Sequence, residues 1–274
     1  MKESYVLGNL DGEIERLEIQ SSLFEPFAHH VLAKVGIKEG MSCIDVGCGS
    51  GSVTRLIAMM VGRTGRVIGL DSEDKYLQYC RGLNNTPRNV EFLRDDICES
   101  KLAENEAFDI VYCRLVFVHL KDAKKAVQSM KRLVKVGGVI IIQELDHAAD
   151  SWLSYPRNKS LDTLRRTYTS LVRRIGGDPL AGRKLYKLLQ GESLSTDVEC
   201  YCPCVQMGRE PYSSLGWRIA ESLKPQILSY GLLSEKEYAK MYDSLIKLSR
   251  DTNAFVLYAR FFSAVGRKPT NIID

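Results

Sequence analysis

Apolar residues along this 274-residue chain follow two rhythms. Near the start they recur at helical spacing: Ile14, Leu17, Leu23, Phe24 and Phe27 supply the apolar positions, with Asp11 as N-cap and Glu13 and Glu15 in the first turn. Pro26 predicts a break or a new helix start. From residue 42 the rhythm changes to short apolar runs separated by helical stretches. Ser42 to Val46, Arg66 to Asp71, Asn89 to Leu93 and the start of Phe108 to Leu120 read as strands, and Val53 to Val61, Glu73 to Leu83 and Asp122 to Val134 as helices. LVKVGGVIIIQELD then enters a fifth strand so uniformly apolar that it should be buried on both faces, as parallel sheets require. Its polar residues Gln143, Glu144 and Asp146 mark its emergence at the sheet edge.

The second half is helical from Ala148 to about Gln190, with Leu161, Leu164, Tyr168, Leu171 and Val172 at helical spacing. This stretch is basic, from Arg157 to Lys187, and a solvated helix face is the expected role of those charges. A sixth strand is predicted over Asp197 to Met207 and a seventh over Ala254 to Val265. Helices over Tyr212 to Ser229 and Ser234 to Leu248, joined at Gly231, lie between them.

The most informative stretch is CIDVGCGSGSVTRLIA, Cys43 to Ala58. A short apolar run ends in an acid, Asp45, glycines follow at 47, 49 and 51, and a helix begins. Glycines this dense permit positive φ and let backbone N–H groups approach a ligand, and the strand-to-helix setting makes a cradle for a polar small molecule. A dinucleotide fingerprint would need its third small position at Ser52. Asp45, placed at the loop mouth, would repel a pyrophosphate and attract an ammonium group. Asp71 closes the second strand about twenty residues on, where a carboxylate in a βαβ unit reaches ribose hydroxyls.

With the hydrophobic strand and the D-x-G-x-G-x-G run from Asp45 to Gly51, the chain resembles the class I S-adenosylmethionine-dependent methyltransferases, in particular their small-molecule (UbiE-like) group. The resemblance continues in F-D-I-V at Phe108 and in the K-V-G-G turn before the fifth strand. It implies an α/β fold: a doubly wound, seven-stranded, mostly parallel Rossmann-like sheet with an antiparallel last strand, and helical insertions forming a cap. It divides the chain into a helical lid over 1–35, a cofactor-binding half over 36–147 and a substrate-side half over 148–274. It implies S-adenosylmethionine as cofactor, leaving S-adenosylhomocysteine, with Asp45, Gly47, Cys48, Gly49, Gly51, Asp71 and Ser72 as binding residues. Asp96 would accept from the adenine amino group and Ile97 would offer its N–H, although the neighbouring Asp95 competes for that position. Arg114, charged among apolar neighbours, calls for a carboxylate, the cofactor's or one of the protein's own.

Methyl transfer needs a general base only where the acceptor loses a proton. His119 after the fourth strand and Glu144 at the end of the fifth are the candidates, ahead of Asp146 and His147. Tyr5 is expected as a lid contact and Tyr168 as a substrate contact. The loop after strand four reads RLVFVHL. It lacks the N-P-P-Y or D-P-P-Y of base-modifying relatives and the paired glutamates of protein-arginine ones, so a small-molecule acceptor is expected, with O, N or C as the accepting atom.

The charge of +4 is too mild to argue for nucleic acid or an anionic membrane. MKESYVLGNLDGEIERL has no apolar signal region and no run is long enough for a bilayer, so a cytoplasmic protein is expected. Eight cysteines without a secretion signal do not predict disulfides. Cys43, Cys80 and Cys113 read as buried, and C-x-C-x-C at Cys200, Cys202 and Cys204 as one thiol-lined strand face, with no metal. Two other classes compete: an NAD(P)-dependent oxidoreductase, which the glycine spacing and Asp45 disfavour, and a non-catalytic cofactor-binding protein of the same fold.

Overall fold

The computed structural model describes residues 10–100, 102 and 107–270. Tyr5 lies outside the described residues. A long helix α1 (Leu10–Val35) precedes β1 (Ser42–Val46), α2 (Ser52–Val61), β2 (Arg66–Asp71), α3 (Asp74–Gly82), β3 (Val90–Arg94) and β4 (Phe108–Arg114). After a 3-10 turn at Phe117–His119 come α4 (Ala123–Leu133), β5 (Val134–Asp146), a short β6 (Leu153–Tyr155), α5 (Lys159–Arg174) and α6 (Ala181–Gln190). The chain continues through β7 (Ser195–Tyr201), β8 (Cys204–Gln206), α7 (Leu215–Ser229), α8 (Glu235–Ser249), β9 (Phe255–Leu257) and β10 (Arg260–Arg267).

Seven strands form one sheet in the order β3-β2-β1-β4-β5-β10-β7. All neighbours run parallel except β10, which is antiparallel to both β5 and β7. The chain builds outward from β1 to β3, then returns to place β4 on the other side of β1. In such a sheet the connections diverge at the carboxyl ends of β1 and β4, and a crevice opens there. The strands pack on both faces. Ala28, Val31 and Leu32 of α1 and Leu56 and Ile57 of α2 cover one, while Val127 and Met130 of α4 and Leu185 and Leu189 of α6 cover the other. This double burial explains the unbroken Ile140–Ile142 run. Helix stops and starts follow local chemistry: Asp122 caps α4 by accepting from Lys125 N at 3.0 Å, and Ser234 and Glu237 form a capping box on α8.

Helices α5, α7 and α8 form the cap. They share a core with Ile19 and Phe24 of α1 and with a second, three-stranded sheet, β6-β9-β8. That small sheet corrects four expectations. Residues 148–190 are not wholly helical, since β6 opens them. The predicted strand 197–207 is two strands, because Pro203 interrupts it and the chain passes from the large sheet to the small one. Cys200 and Cys204 therefore lie in different sheets and share no strand face, and all three thiols of that motif are exposed and unbridged. The strand expected over 254–265 divides in the same way at Tyr258 and Ala259. Helix α1 is also continuous through Pro26, with no new start there. The burial of Phe24 and Ala28 on either side keeps the helix on course across the missing N–H.

Candidate functional site

A cavity of about 650 Å³ opens at the carboxyl ends of β1 and β4, between the sheet and the cap. Its floor is the glycine loop. Gly47 N and Cys48 N both donate to Leu70 O, at 2.7 and 3.0 Å, which ties the loop to the end of β2. Gly47 and Gly49 have φ of +71° and +52°, yet they differ in what surrounds them. A Cβ on Gly47 would sit 2.2 Å from Val116 Cγ2, whereas one on Gly49 would meet nothing within 4 Å. Gly47 is held by packing against the loop after β4; Gly49 faces open space in the cradle.

The acids line this floor. Asp71 accepts from Gly49 N through Oδ2 and from Glu73 N through Oδ1, both at 2.9 Å, and burial raises its pKa. Ser72 is exposed at the rim. Asp45 is not at the loop mouth, as expected from sequence, but 2% exposed beneath it. Its Oδ2 accepts from Thr54 Oγ1 of α2 at 2.6 Å. Burial pushes its carboxyl up to about 6, with Thr54 and the Arg114 charge pulling the other way. After β3, Asp95 uses both oxygens inside its own turn, accepting from Ser100 Oγ and Asp96 N. Asp96 is exposed on the cavity wall and accepts there from Cys98 N through one oxygen, Oδ1. Ile97 is buried beside it.

Arg114 ends β4 and faces the same floor. Its Nη2 donates to Ser21 Oγ of α1 at 2.5 Å, and Ser21 is in turn bonded to Ser52 Oγ at the start of α2. No acid pairs with the guanidinium among the described residues. Among those residues its Nη1 is also buried without a hydrogen-bond partner. A bare glycine cradle, an inward carboxylate and an orphaned guanidinium nitrogen make a site suited to a small zwitterion with a hydroxylated ring system.

Above the floor the loop after β4 carries His119. Leu115 N donates to Gln143 O at 2.9 Å, and Leu115 adopts φ of +59°, a strained conformation for a branched side chain on the cavity wall. Burial, with the nearby Arg16 charge, lowers the His119 pKa to about 4, so its imidazole is neutral at pH 7. Glu144 is fully buried. Its two oxygens accept from Val118 N at 3.0 Å and Leu145 N at 2.8 Å, and desolvation raises its pKa to about 7. Its carboxylate thus holds the turn that presents His119. Asp146 is committed to Arg183, which donates to both its oxygens.

The far wall is aromatic and apolar. Tyr168 packs its ring edge-on against His147, with centroids 4.7 Å apart, beside Trp152, Leu171, Ile219 and Leu223. Of the basic residues between 157 and 187, none lines the cavity; most face solvent or pair with acids, while Arg165 is half-buried, its Nε without a hydrogen-bond partner among the described residues and its charge felt at His147. Sequence reasoning missed the contributions of Arg16, Gln20 and Ser21 from α1 and of Ser222 and Gln226 from α7. Ser222 donates to Glu13, 209 residues away, and no periodicity encodes such a pairing. Among the described residues no cluster of His, Cys, Asp and Glu could hold a metal, and no helix is long and apolar enough to cross a membrane.

A sheet of this order with its crevice at the β1/β4 divergence belongs to the Rossmann-like α/β class. Residues 37–190 match the methyltransferase domain family, and the chain belongs to it. A demethylmenaquinone methyltransferase of Staphylococcus aureus is 28% identical over 141 residues, which are 51% of this chain and 58% of that protein. The enzyme of the same description from Staphylococcus saprophyticus is 26% identical over 51% of this chain and 60% of its own length. The matched region thus spans less than two thirds of these relatives. Among solved structures, a SAM-dependent methyltransferase from Aquifex aeolicus superposes with a TM-score of 0.53 at 22% identity, over 69% of this chain and 90% of that one. A Haemonchus contortus phosphoethanolamine N-methyltransferase 2 does so at 0.59 and 17% identity, over 98% and 59%. At these identities the superpositions speak for the fold.

Proposed function

We propose that the protein transfers the methyl group of S-adenosylmethionine to a small molecule. The observation that carries this reading is the buried, unpartnered Nη1 of Arg114 beside the open face of Gly49. Arg114 would take the cofactor's carboxylate and Asp45 its ammonium, which would also hold Asp45 ionised despite its burial. Asp71, with Ser72 at the rim, would accept from the ribose hydroxyls. Asp96 would accept from the adenine amino group, with Ile97 N–H at the ring, while Gly47, Cys48 and Gly49 would line the tail; Gly51, expected there from sequence, is off the cavity, packed against Cys80 and Phe92.

Bound there, S-adenosylmethionine supplies an electrophilic methyl on a sulfonium sulfur. The protein's part is to align the acceptor with it and exclude water. Helix α1 acts as the lid: Ser21 reaches Arg114, and Glu15 ties the helix to Arg218 of α7 by two bonds of 2.8 and 2.6 Å. Residues 36–147 serve the cofactor, and within the substrate-side half the cap helices α5, α7 and α8 close over the acceptor, with Tyr168 in its wall. His119, neutral at pH 7, is the base where the acceptor must lose a proton. Glu144 acts as a positioning residue, since its oxygens are engaged by backbone N–H groups. The demethylmenaquinone methyltransferase relatives support a small-molecule acceptor. Nothing in the site favours hydride transfer. The test is a screen with methyl-labelled cofactor across phenols, amines and enolic carbon acids: label transferred to one class supports the reading. No transfer, together with no binding of S-adenosylhomocysteine, refutes it.

A further inference from the structure

We infer that His147 positions the methyl acceptor, its Nε2–H donating to an oxygen or nitrogen of an uncharged, largely apolar molecule. The inference rests on the methyl-transfer reading and names the acceptor class for the same cavity.

His147 follows β5 directly and is 3% exposed on the cavity wall. Its backbone is anchored by His147 N donating to Pro179 O at 2.8 Å. Among the described residues the ring has one polar partner: Trp152 Nε1 donates to His147 Nδ1 at 3.1 Å. An indole nitrogen can only donate, so Nδ1 must be the accepting nitrogen, and a neutral imidazole then carries its proton on Nε2. Burial keeps the ring neutral, lowering its pKa to about 3. Edge-on packing against Tyr168 and Trp152, at centroid distances of 4.7 and 5.6 Å, restrains rotation. Trp152 itself sits at φ of +57°, a conformation that a bulky residue keeps only where its surroundings demand it.

The result is a donor of defined position with nothing to donate to. His147 Nε2 is buried and has no hydrogen-bond partner among the described residues. A buried N–H is costly to leave unpaired, and a molecule filling the cavity is the available source of an acceptor atom. The same wall decides charge. From Trp152 onward, the residues that line the cavity include Tyr168, Leu171, Leu223 and Tyr258, and none is ionised at neutral pH. Burial pushes both of those tyrosine hydroxyls well above their ordinary range. Arg16 reaches the cavity from α1 but gives two hydrogen bonds to Glu13. Arg165 makes its charge felt at His147 from behind this wall but does not line the cavity, so a permanently charged acceptor would leave water without a counter-charge in direct contact. Gln226, whose Oε1 is buried and unpartnered, offers one further polar contact.

Three probes of one shape test this on protein saturated with S-adenosylhomocysteine: 2-naphthol, naphthalene and 2-naphthoate, titrated by calorimetry or tryptophan fluorescence. The wild type should bind 2-naphthol about tenfold more tightly than either of the others, the discrimination of one buried hydrogen bond. His147→Phe should abolish the preference over naphthalene. His147→Gln, whose amide N–H lies near the Nε2 position, should restore part of it. Selective 15N-histidine labelling at pH 7 should report the Nε2–H tautomer in the wild type and a mixture in Trp152→Phe, which needs no folded His147 variant. Failure of 2-naphthol to bind, tighter binding of 2-naphthoate, a preference that survives His147→Phe, or an Nδ1–H tautomer overturns the inference. If S-adenosylhomocysteine itself fails to bind, the methyl-transfer reading falls; if it binds and 2-naphthoate is preferred, only the acceptor assignment falls.

Discussion

Ser21 and Arg114, 93 residues apart in sequence, are joined by a hydrogen bond of 2.5 Å from guanidinium Nη2 to hydroxyl, while the other terminal nitrogen, Nη1, is buried and unpartnered. Helix α1 therefore orients the guanidinium without neutralising it, and its charge stays available to a carboxylate. Arg114→Ala should weaken S-adenosylhomocysteine binding by about 10- to 100-fold, the range of a charge-assisted hydrogen bond of about 1.5–3 kcal/mol. Ser21→Ala should cost only a few-fold, because it loosens the guanidinium but keeps the charge. Isothermal calorimetry on both variants measures this, and equal losses would contradict the division of roles.

The two glycines of the loop should separate stability from affinity. Gly47→Ala forces a methyl within 2.2 Å of Val116 Cγ2, and overpacking of that kind costs about 1–3 kcal/mol. Gly49→Ala carries only the strain of positive φ, about 1–2 kcal/mol, yet places its methyl where the cofactor would lie. Thermal melts should therefore show the larger drop for Gly47→Ala, and ligand titrations the larger relative loss for Gly49→Ala.

His119 should already be in its basic form throughout the physiological range. With its pKa lowered to about 4, a rate that depends on its unprotonated imidazole stays flat from pH 8 down to pH 5 and falls only as pH approaches 4. His119→Ala should lower kcat far more than cofactor affinity. An inflection near 6.5 that disappears in the variant would show that the imidazole is solvated, contrary to its burial.

Glu144 gives stability a pH dependence of the opposite kind. Its pKa is raised on folding from 4.5 to about 7 by desolvation, so between those values the folded state holds more protons than the unfolded one. Its contribution is complete below pH 4.5 and lost as pH rises through 7. Glu144→Gln lacks this ionisation. Denaturant unfolding should show the wild type losing about 1–3 kcal/mol relative to the variant between pH 5 and pH 8. A difference that stays constant with pH would mean that the carboxyl does not titrate there.

Much of the cofactor half was legible because its determinants are local. The β1 and β2 bounds, Ser42–Val46 and Arg66–Asp71, coincide with apolar runs that carry an acid at or next to their last position, and the glycine spacing marks the loop between β1 and α2. The substrate half was less so. Pro203 and the Tyr258–Ala259 step each divert an apolar run from one sheet to another, and single-strand periodicity carries no sign of that. Helix α1 runs through Pro26 because tertiary burial outweighs local preference. Asp45 was expected at a solvated mouth, but strand alternation turns it inward under α2, where Thr54 meets it. The Trp152–His147 bond and the reach of Ser21 to Arg114 depend on which side chains the fold brings face to face.

The cradle at Gly47 and Gly49, faced by Arg114, is proposed to bind a sulfonium nucleoside. Calorimetric titration of the wild type with S-adenosylhomocysteine and with NAD, repeated on Gly49→Val, tests it most directly. Saturable one-site binding of S-adenosylhomocysteine, none of NAD, and loss of the first in a folded Gly49→Val are expected. Firm NAD binding without S-adenosylhomocysteine binding, or a Gly49→Val protein that binds S-adenosylhomocysteine as the wild type does, would contradict it.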